Sequence, residues 1–225
     1  MALAVSPPLS ARGQLQAGPT LVELAPGITA GRLILGNTGD APVAAQVRAF
    51  VWSQVDGEDR LTPTSDIALS PAIVRIEPGV SQTVRVVRQA PAPTGNDKTY
   101  RVVVDELPTK EDLEATGLNM RMRYVVPVYL RSPDASAPKL SCNLSPGFLV
   151  CTNTGGQAAQ LGSSRLIDGK GNVAALTRGL FGYVLPGSRR QWPLDAQYVS
   201  PLTADLRLET QLNGQAAAIP VTRGP

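Results

Sequence analysis

Residues 117–130 read GLNMRMRYVVPVYL, and apolar side chains occupy every second position: Leu118, Met120, Met122, Tyr124, Val126, Val128 and Leu130. Asn119, Arg121 and Arg123 fill the alternate positions of the first half. Period two over this length predicts a β-strand with one apolar face and one polar face. Such a strand is about twice the usual length. Two roles fit it. It is either a long core strand that ends a sandwich domain, or a strand lent to another protein, for which flexible methionine side chains are suited.

The rest of the chain agrees with an all-β fold. Its 225 residues hold 20 prolines and 21 glycines, which favour short strands joined by turns. The length suits one large β domain or two sandwiches of about 100 residues each. The best helical candidate, 109–116 (TKEDLEAT), spans two turns and stops at Gly117. Lys and Arg number 21 against 18 Asp and Glu, a net charge of +3. That excess is too small and too dispersed to argue for nucleic acid or an anionic membrane. No stretch has the roughly 18 consecutive apolar residues of a membrane-spanning helix.

Histidine is absent. This removes Ser–His and Cys–His nucleophile arrangements and the commonest neutral metal ligand. Neither a cofactor nor a metal site is expected, and no enzyme motif is present. The start, MALAVSPPLSA, resembles the tail of a secretory signal without a basic n-region. Residues 1–16 therefore read as a truncated signal or a non-native remnant.

Cys142 and Cys151 lie in KLSCNLSPGFLVCTNTG, which reads as strand, turn at Ser145-Pro146-Gly147, then strand. A hairpin of that spacing sets the two cysteines opposite each other, within reach of a disulfide. The bridge implies an oxidising compartment. The alternative is two reduced cysteines packed as small apolar residues.

Before residue 131, strands are predicted at 18–24, 31–35, 43–53 (with Trp52 as a core anchor), 73–76, 81–88, 99–107 and 117–130. Turn signals every 8 to 15 residues or so give the sandwich pattern. Residues 131–138 (RSPDASAP) read as a linker. A smaller sandwich follows over 139–225, with strands at 139–144, 148–152, 158–168, 173–176, 179–184, 187–192, 204–212 and 216–222. The two halves show no sequence repeat at any period.

Four segments, taken in order, resemble the N-terminal immunoglobulin-like domain of the PapD-like periplasmic pilus-assembly chaperones. They are RLILGNTGDAPVAAQVRAFVW (32–52), LSPAIVRIEPGVSQTVRVVR (69–88), YRVVVDELP (100–108) and the long strand after it. Within the family, NTGD…QVRxFxW is closer to the archaic, Csu-like branch. The resemblance implies two immunoglobulin-like β-sandwich domains in an L- or boomerang-shaped arrangement, divided at 17–130 and 139–225. It also implies a mechanism, for which this family is a known example. Pilin subunits lack their last strand, the chaperone inserts its G1 strand into the gap, and the folded subunit passes to an outer-membrane usher.

By this resemblance the inserted side chains are Leu118, Met120, Met122 and Tyr124, each buried Leu or Met contributing about 1.5–3 kcal/mol. The location implied is the Gram-negative periplasm, and the free protein is expected to hide G1 in a self-capping homodimer. The family's usual carboxylate anchor, an arginine and a lysine, falls here on Thr20 and Pro127. Arg88, Arg101, Arg121 and Arg123 remain as candidate anchors, since an arginine fork suits a carboxylate. Arg131 matches an arginine that joins the two domains, with Asp97 or Asp105 as its acidic partner.

Two other readings are a structural or adhesive sandwich of a surface fibre, and a glycosidase-like enzyme using Asp105 and Glu106. Paired catalytic carboxylates need roughly 5–10 Å between them in one cleft. Adjacent strand residues face opposite ways, which counts against the enzyme.

Overall fold

The computed structural model describes residues 14–109, 120–195, 202 and 205–224. Their secondary structure is strand throughout, with no helix among the described residues. The candidate helix 109–116 lies almost wholly outside them, as does Leu118. The chain divides into two compact units, one of residues 1–50, 63–91 and 100–128, the other of 51–62, 92–99 and 129–225.

Up to residue 130, alternating sequence becomes two β-sheets. One sheet has the order β1 (Leu15–Gly18), β3 (Ala30–Asn37), β8 (Ser81–Arg88), β6 (Ile67–Ser70). The other runs β2 (Val22–Leu24), β10 (Arg123–Leu130), β9 (Lys98–Leu107), β4 (Val43–Val55), β5 (Glu58–Pro63), and β7 (Ile73–Ile76) also pairs with β4. Leu33 and Leu35, Val84 and Val86, and Val102 and Val104 are sealed at 0–1% exposure on alternate positions, as period two requires.

Two sequence expectations change here. The single strand at 18–24 is two strands, because the chain passes from one sheet to the other across Pro19. Where no strand is predicted between 53 and 73, β5 follows β4 after the two residues Asp56 and Gly57. All six residues of β5 are exposed, so no apolar alternation marks it in the sequence.

The second unit carries one hydrogen-bonded sheet of β14 (Val173–Thr177), β13 (Ala159–Ile167), β17 (Leu206–Leu212), β18 (Gln215–Arg223), β11 (Leu140–Ser145), β12 (Phe148–Asn153) and β16 (Arg189–Pro193). To these β15 (Gly182–Val184) is added through β13. Ala174 and Trp192, from the two ends of that order, belong to the same core as Leu161 and Leu208. The sheet therefore curls around a single interior. Cys142 lies directly opposite Cys151 in the β11–β12 hairpin, and the two form a disulfide. The hairpin turns on Pro146 and Gly147, where Gly147 adopts a φ of 78°, a region glycine enters without penalty.

One device is built twice. In the first unit Asn37, 2% exposed, accepts hydrogen bonds at Oδ1 from the Gln14 and Gly39 amides (3.3 and 3.0 Å). Its Nδ2 donates to the Ala41 and Ile76 carbonyls (2.8 and 3.0 Å). In the second unit Asn153, 0% exposed, accepts from the Lys139 and Gly155 amides (3.0 and 2.9 Å). It donates to the Gln157 and Val184 carbonyls (2.8 and 3.1 Å). The strand register agrees as well: Leu15 pairs with Asn37, and Leu140 with Asn153. The halves are thus a local repeat, N-T-G at 37–39 and 153–155, that no periodicity search finds because the surrounding sequences differ.

Each asparagine satisfies four buried backbone groups. Asn37→Ala and Asn153→Ala should each destabilise the protein by about 1–3 kcal/mol per group left unpaired and dry. In urea titrations the midpoint should fall while the slope stays constant. An unchanged midpoint would mean that water replaces the side chain.

Candidate functional site

β10 is the strand that the alternation at 117–130 announced, but it is shorter than expected: among the described residues it begins at Arg123, and 120–122 lie outside the sheet ladder. The apolar face keeps its parity throughout while its surroundings change. Val126, Val128 and Leu130 are 5%, 0% and 1% exposed, whereas Met122 is 42% and Met120 80% exposed. Tyr124 sits at the boundary, half-buried, its hydroxyl donating to the Leu15 carbonyl at 2.6 Å. The stripe therefore continues past the interior it helps to fill.

The backbone around Met122 is nevertheless held. The Glu106 amide donates to the Met122 carbonyl (3.0 Å), and the Met122 amide donates to Glu106 Oε2 (2.9 Å). Arg101, further back along β9, reaches the Val125 carbonyl at 3.4 Å. β9 and β10 thus run antiparallel. On its other side β10 has, among the described residues, β2 as its neighbour, whose three residues are too few to ladder all eight of β10.

The polar face carries a charge cluster. Asp105 accepts from Arg48 (2.6 Å) through one oxygen and from Arg123 through the other. The three side chains come from adjacent strands β4, β9 and β10. Arg48 also lies over the Phe50 ring, 5.6 Å from its centroid. Partial burial pushes the Asp105 carboxyl upward, but the two arginine hydrogen bonds and charges outweigh it and hold the group below its ordinary value. The sequence reading missed Arg48. Its only signal was its place on the polar parity of VAAQVRAF.

The four candidate anchors are not brought together. Arg88 ends β8 in the first sheet, opposite Ile67, while Arg101 and Arg123 lie in the second. Arg121 is exposed. Among the described residues Arg88 and Arg121 form no ion pair. Arg88 is half-buried and shares the parity of Val84 and Val86. Asp66, the residue just before β6 and its Ile67, accepts a hydrogen bond from the Tyr100 hydroxyl at 2.8 Å. Burial, then the Asp66 contact, pushes that phenol above its ordinary range. Thr20 is exposed and Pro127 buried. Arg131 takes Asp97 as its partner and lies over the Tyr129 ring at 4.8 Å. Asp105, the other candidate partner, is held by Arg48 and Arg123 instead.

Elsewhere, a shallow groove of about 440 Å³ lies over Ser163, Arg165, Glu209 and Ala216–Ala218 in the second unit. Its Glu209 is bound by Arg165 and Arg207, and no sequence-predicted residue lines it. Among the described residues no group of acidic and cysteine side chains is placed to hold a metal ion.

A family model described as pili and flagellar-assembly chaperone, PapD N-terminal domain, matches residues 14–136. No curated protein matches the chain by sequence. Among solved structures, one similar chain is from the CsuC–CsuE chaperone–tip adhesion subunit pre-assembly complex of the archaic chaperone–usher Csu pili of Acinetobacter baumannii. It has a TM-score of 0.74 and 22% identity over 94% of this chain and 100% of that one. The Escherichia coli chaperone DraB gives 0.63 and 20%, over 93% and 98%. The Salmonella enterica SafA pilin–SafB chaperone complex gives 0.66 and 17%, over 92% and 95%. What these structures share with the chain is the two-domain immunoglobulin-like fold.

Asp105→Asn should loosen the start of β10 without unfolding the protein, because exposed ion pairs contribute about 0–1 kcal/mol each. Amide hydrogen exchange should quicken at Arg123–Val125 while the global melt barely moves. The same loosening should appear in the unaltered protein on acidification. A carboxyl with a depressed folded value gives its full contribution above about pH 4 and loses it as the pH falls through that lower value. Exchange that is insensitive to both changes would remove Asp105 from any role in holding the strand.

Proposed function

Because the chain belongs to the family of pili and flagellar-assembly chaperones, we propose that it completes an unfinished pilin-like sandwich with the extended segment that leads into its strand β10. The observation that carries this reading is the Met120–Met122 segment. It has apolar side chains at alternate positions, 80% and 42% exposed, in line with a face that is core a few residues later. A strand added to a subunit's open edge supplies main-chain hydrogen bonds, and side chains of one parity enter its groove. Met120 and Met122 have the parity and the exposure for that, and Leu118 and Tyr124 extend the same row.

Arg88 is the anchor we favour for the subunit's terminal carboxylate, with Arg121 second. Arg123 is committed to Asp105, and Arg101 reaches the Val125 carbonyl. Arg88 lies half-buried at a strand end with no ion pair among the described residues. An arginine fork there can grip a carboxylate in two places. The setting is the periplasm, where the Cys142–Cys151 bridge is stable, and an outer-membrane usher receives the loaded subunit. The Csu-like likeness at 22% identity supports the archaic branch. A homodimer that covers the methionine face is the form proposed for the unloaded protein.

Co-expression in the periplasm with the pilin-like subunit encoded beside this gene tests the reading. The unaltered protein should co-purify with the subunit as a one-to-one complex. Met120→Glu/Met122→Glu should abolish that complex and leave the melting midpoint within a few degrees, because both side chains are exposed in the free protein. Arg88→Ala should weaken it. A double variant that folds and still binds the subunit would show that this strand is not the donor.

A further inference from the structure

Sulfur is distributed unevenly in this chain. Of its three methionines, Met120 and Met122 are the two among the described residues, and both stand exposed at alternate positions just before β10. Among the described residues the buried aliphatic side chains are Leu, Val, Ile and Ala, and no methionine is among them. Both cysteines are bonded to each other, 4% and 0% exposed, and no free cysteine remains. Trp52 and Trp192, the other oxidisable side chains of this size, are 2% and 8% exposed. An oxidant arriving from solvent therefore meets its most reactive targets at two neighbouring positions, and these are the positions assigned to subunit binding.

We propose that Met120 and Met122 form an oxidation site that switches off subunit capture, an inference that rests on the binding role given to them above. A peroxide is the oxidant class. The methionine sulfur supplies two electrons, the O–O bond breaks, one oxygen becomes bonded to sulfur, and the other leaves as water. The product is a polar, chiral sulfoxide that methionine sulfoxide reductases convert back. An S=O group entering an apolar groove without a hydrogen-bond partner is disfavoured there, so oxidised protein loses the affinity that thioether side chains supply. Exposure makes the loss selective. A protein already holding its subunit, or paired with a second copy, covers both sulfurs, so the switch acts on monomers whose methionine face is open.

The test oxidises the purified chain alone with hydrogen peroxide, removes the peroxide, and measures binding to the denatured-and-diluted pilin-like subunit. Mass spectrometry should place one oxygen on each of Met120 and Met122. The oxidised form should bind at least about tenfold more weakly, with an unchanged melting midpoint. Treatment with both sulfoxide reductases should restore it. Met120→Leu/Met122→Leu, whatever its own affinity, should bind equally well before and after peroxide. Oxidised protein that binds as well as untreated protein overturns the proposal. So does a leucine variant that still loses binding on peroxide treatment, or a loss of binding explained by a lowered midpoint. Untreated protein that captures no subunit overturns the proposed function itself, and the switch falls with it.

Discussion

An apolar stripe that is longer than the interior beneath it governs this molecule. Along β10 the backbone repeats every two residues, so Tyr124, Val126 and Val128 lean to one side, and Met120 and Met122 continue the same parity in the segment before it. Val126 and Val128 are sealed in the interior, and burial of each contributes about 1.5–3 kcal/mol. Met122 and Met120 find no such cover. A free protein gains nothing from apolar side chains in water, and contiguous exposed apolar surface marks an interaction site. The strand is held firmly at one end and offered at the other. The three-residue β2 leaves part of its edge without a neighbouring strand. Both conditions are needed for a strand to join another protein's sheet without leaving its own.

The two units close their sandwiches with the same corner. Asn37 and Asn153 each join an upstream strand start, their own turn and a third strand end through four hydrogen bonds. A primary amide is the side chain that can both donate twice and accept twice in so small a space. Aspartate would lose the donors, and serine would reach too few groups. In the sequence these residues register only as turn formers, because their partners at Ile76 and Val184 are far away along the chain. The repeated N-T-G was visible at 37–39 and 153–155, but three residues are too few to distinguish a repeat from chance.

Legibility followed burial. β8 was readable to the residue at 81–88 because its apolar positions face a core on one side and water on the other. β5 was unreadable because EDRLTP is exposed throughout, so no apolar alternation marks it. The Cys142–Cys151 pairing was legible from hairpin spacing, since both cysteines and the turn between them are local. The charge cluster was not, because Arg48, Asp105 and Arg123 are distant in sequence and meet only when β4, β9 and β10 become neighbours. For β10 itself the alternation was plain, but the point at which core gives way to solvent was not. Methionine and valine are equally apolar on paper, and the change depends on where the opposite sheet ends.

That same strand shows why the charge cluster matters more for geometry than for energy. A strand slipped by one residue would turn Arg121 and Arg123 toward the interior and Met120 and Met122 to the opposite face. The apolar row alone resists the slip over Val126–Leu130 but not beyond, where nothing covers the methionines. Arg123 bound to Asp105, and Met122 bound to Glu106 through both its amide and its carbonyl, fix the register where packing no longer does. An exposed ion pair of this kind adds little to stability, yet a slip would have to break it together with both hydrogen bonds between Met122 and Glu106. The polar face is tied within the chain, and this leaves the apolar face free to be tied to something else.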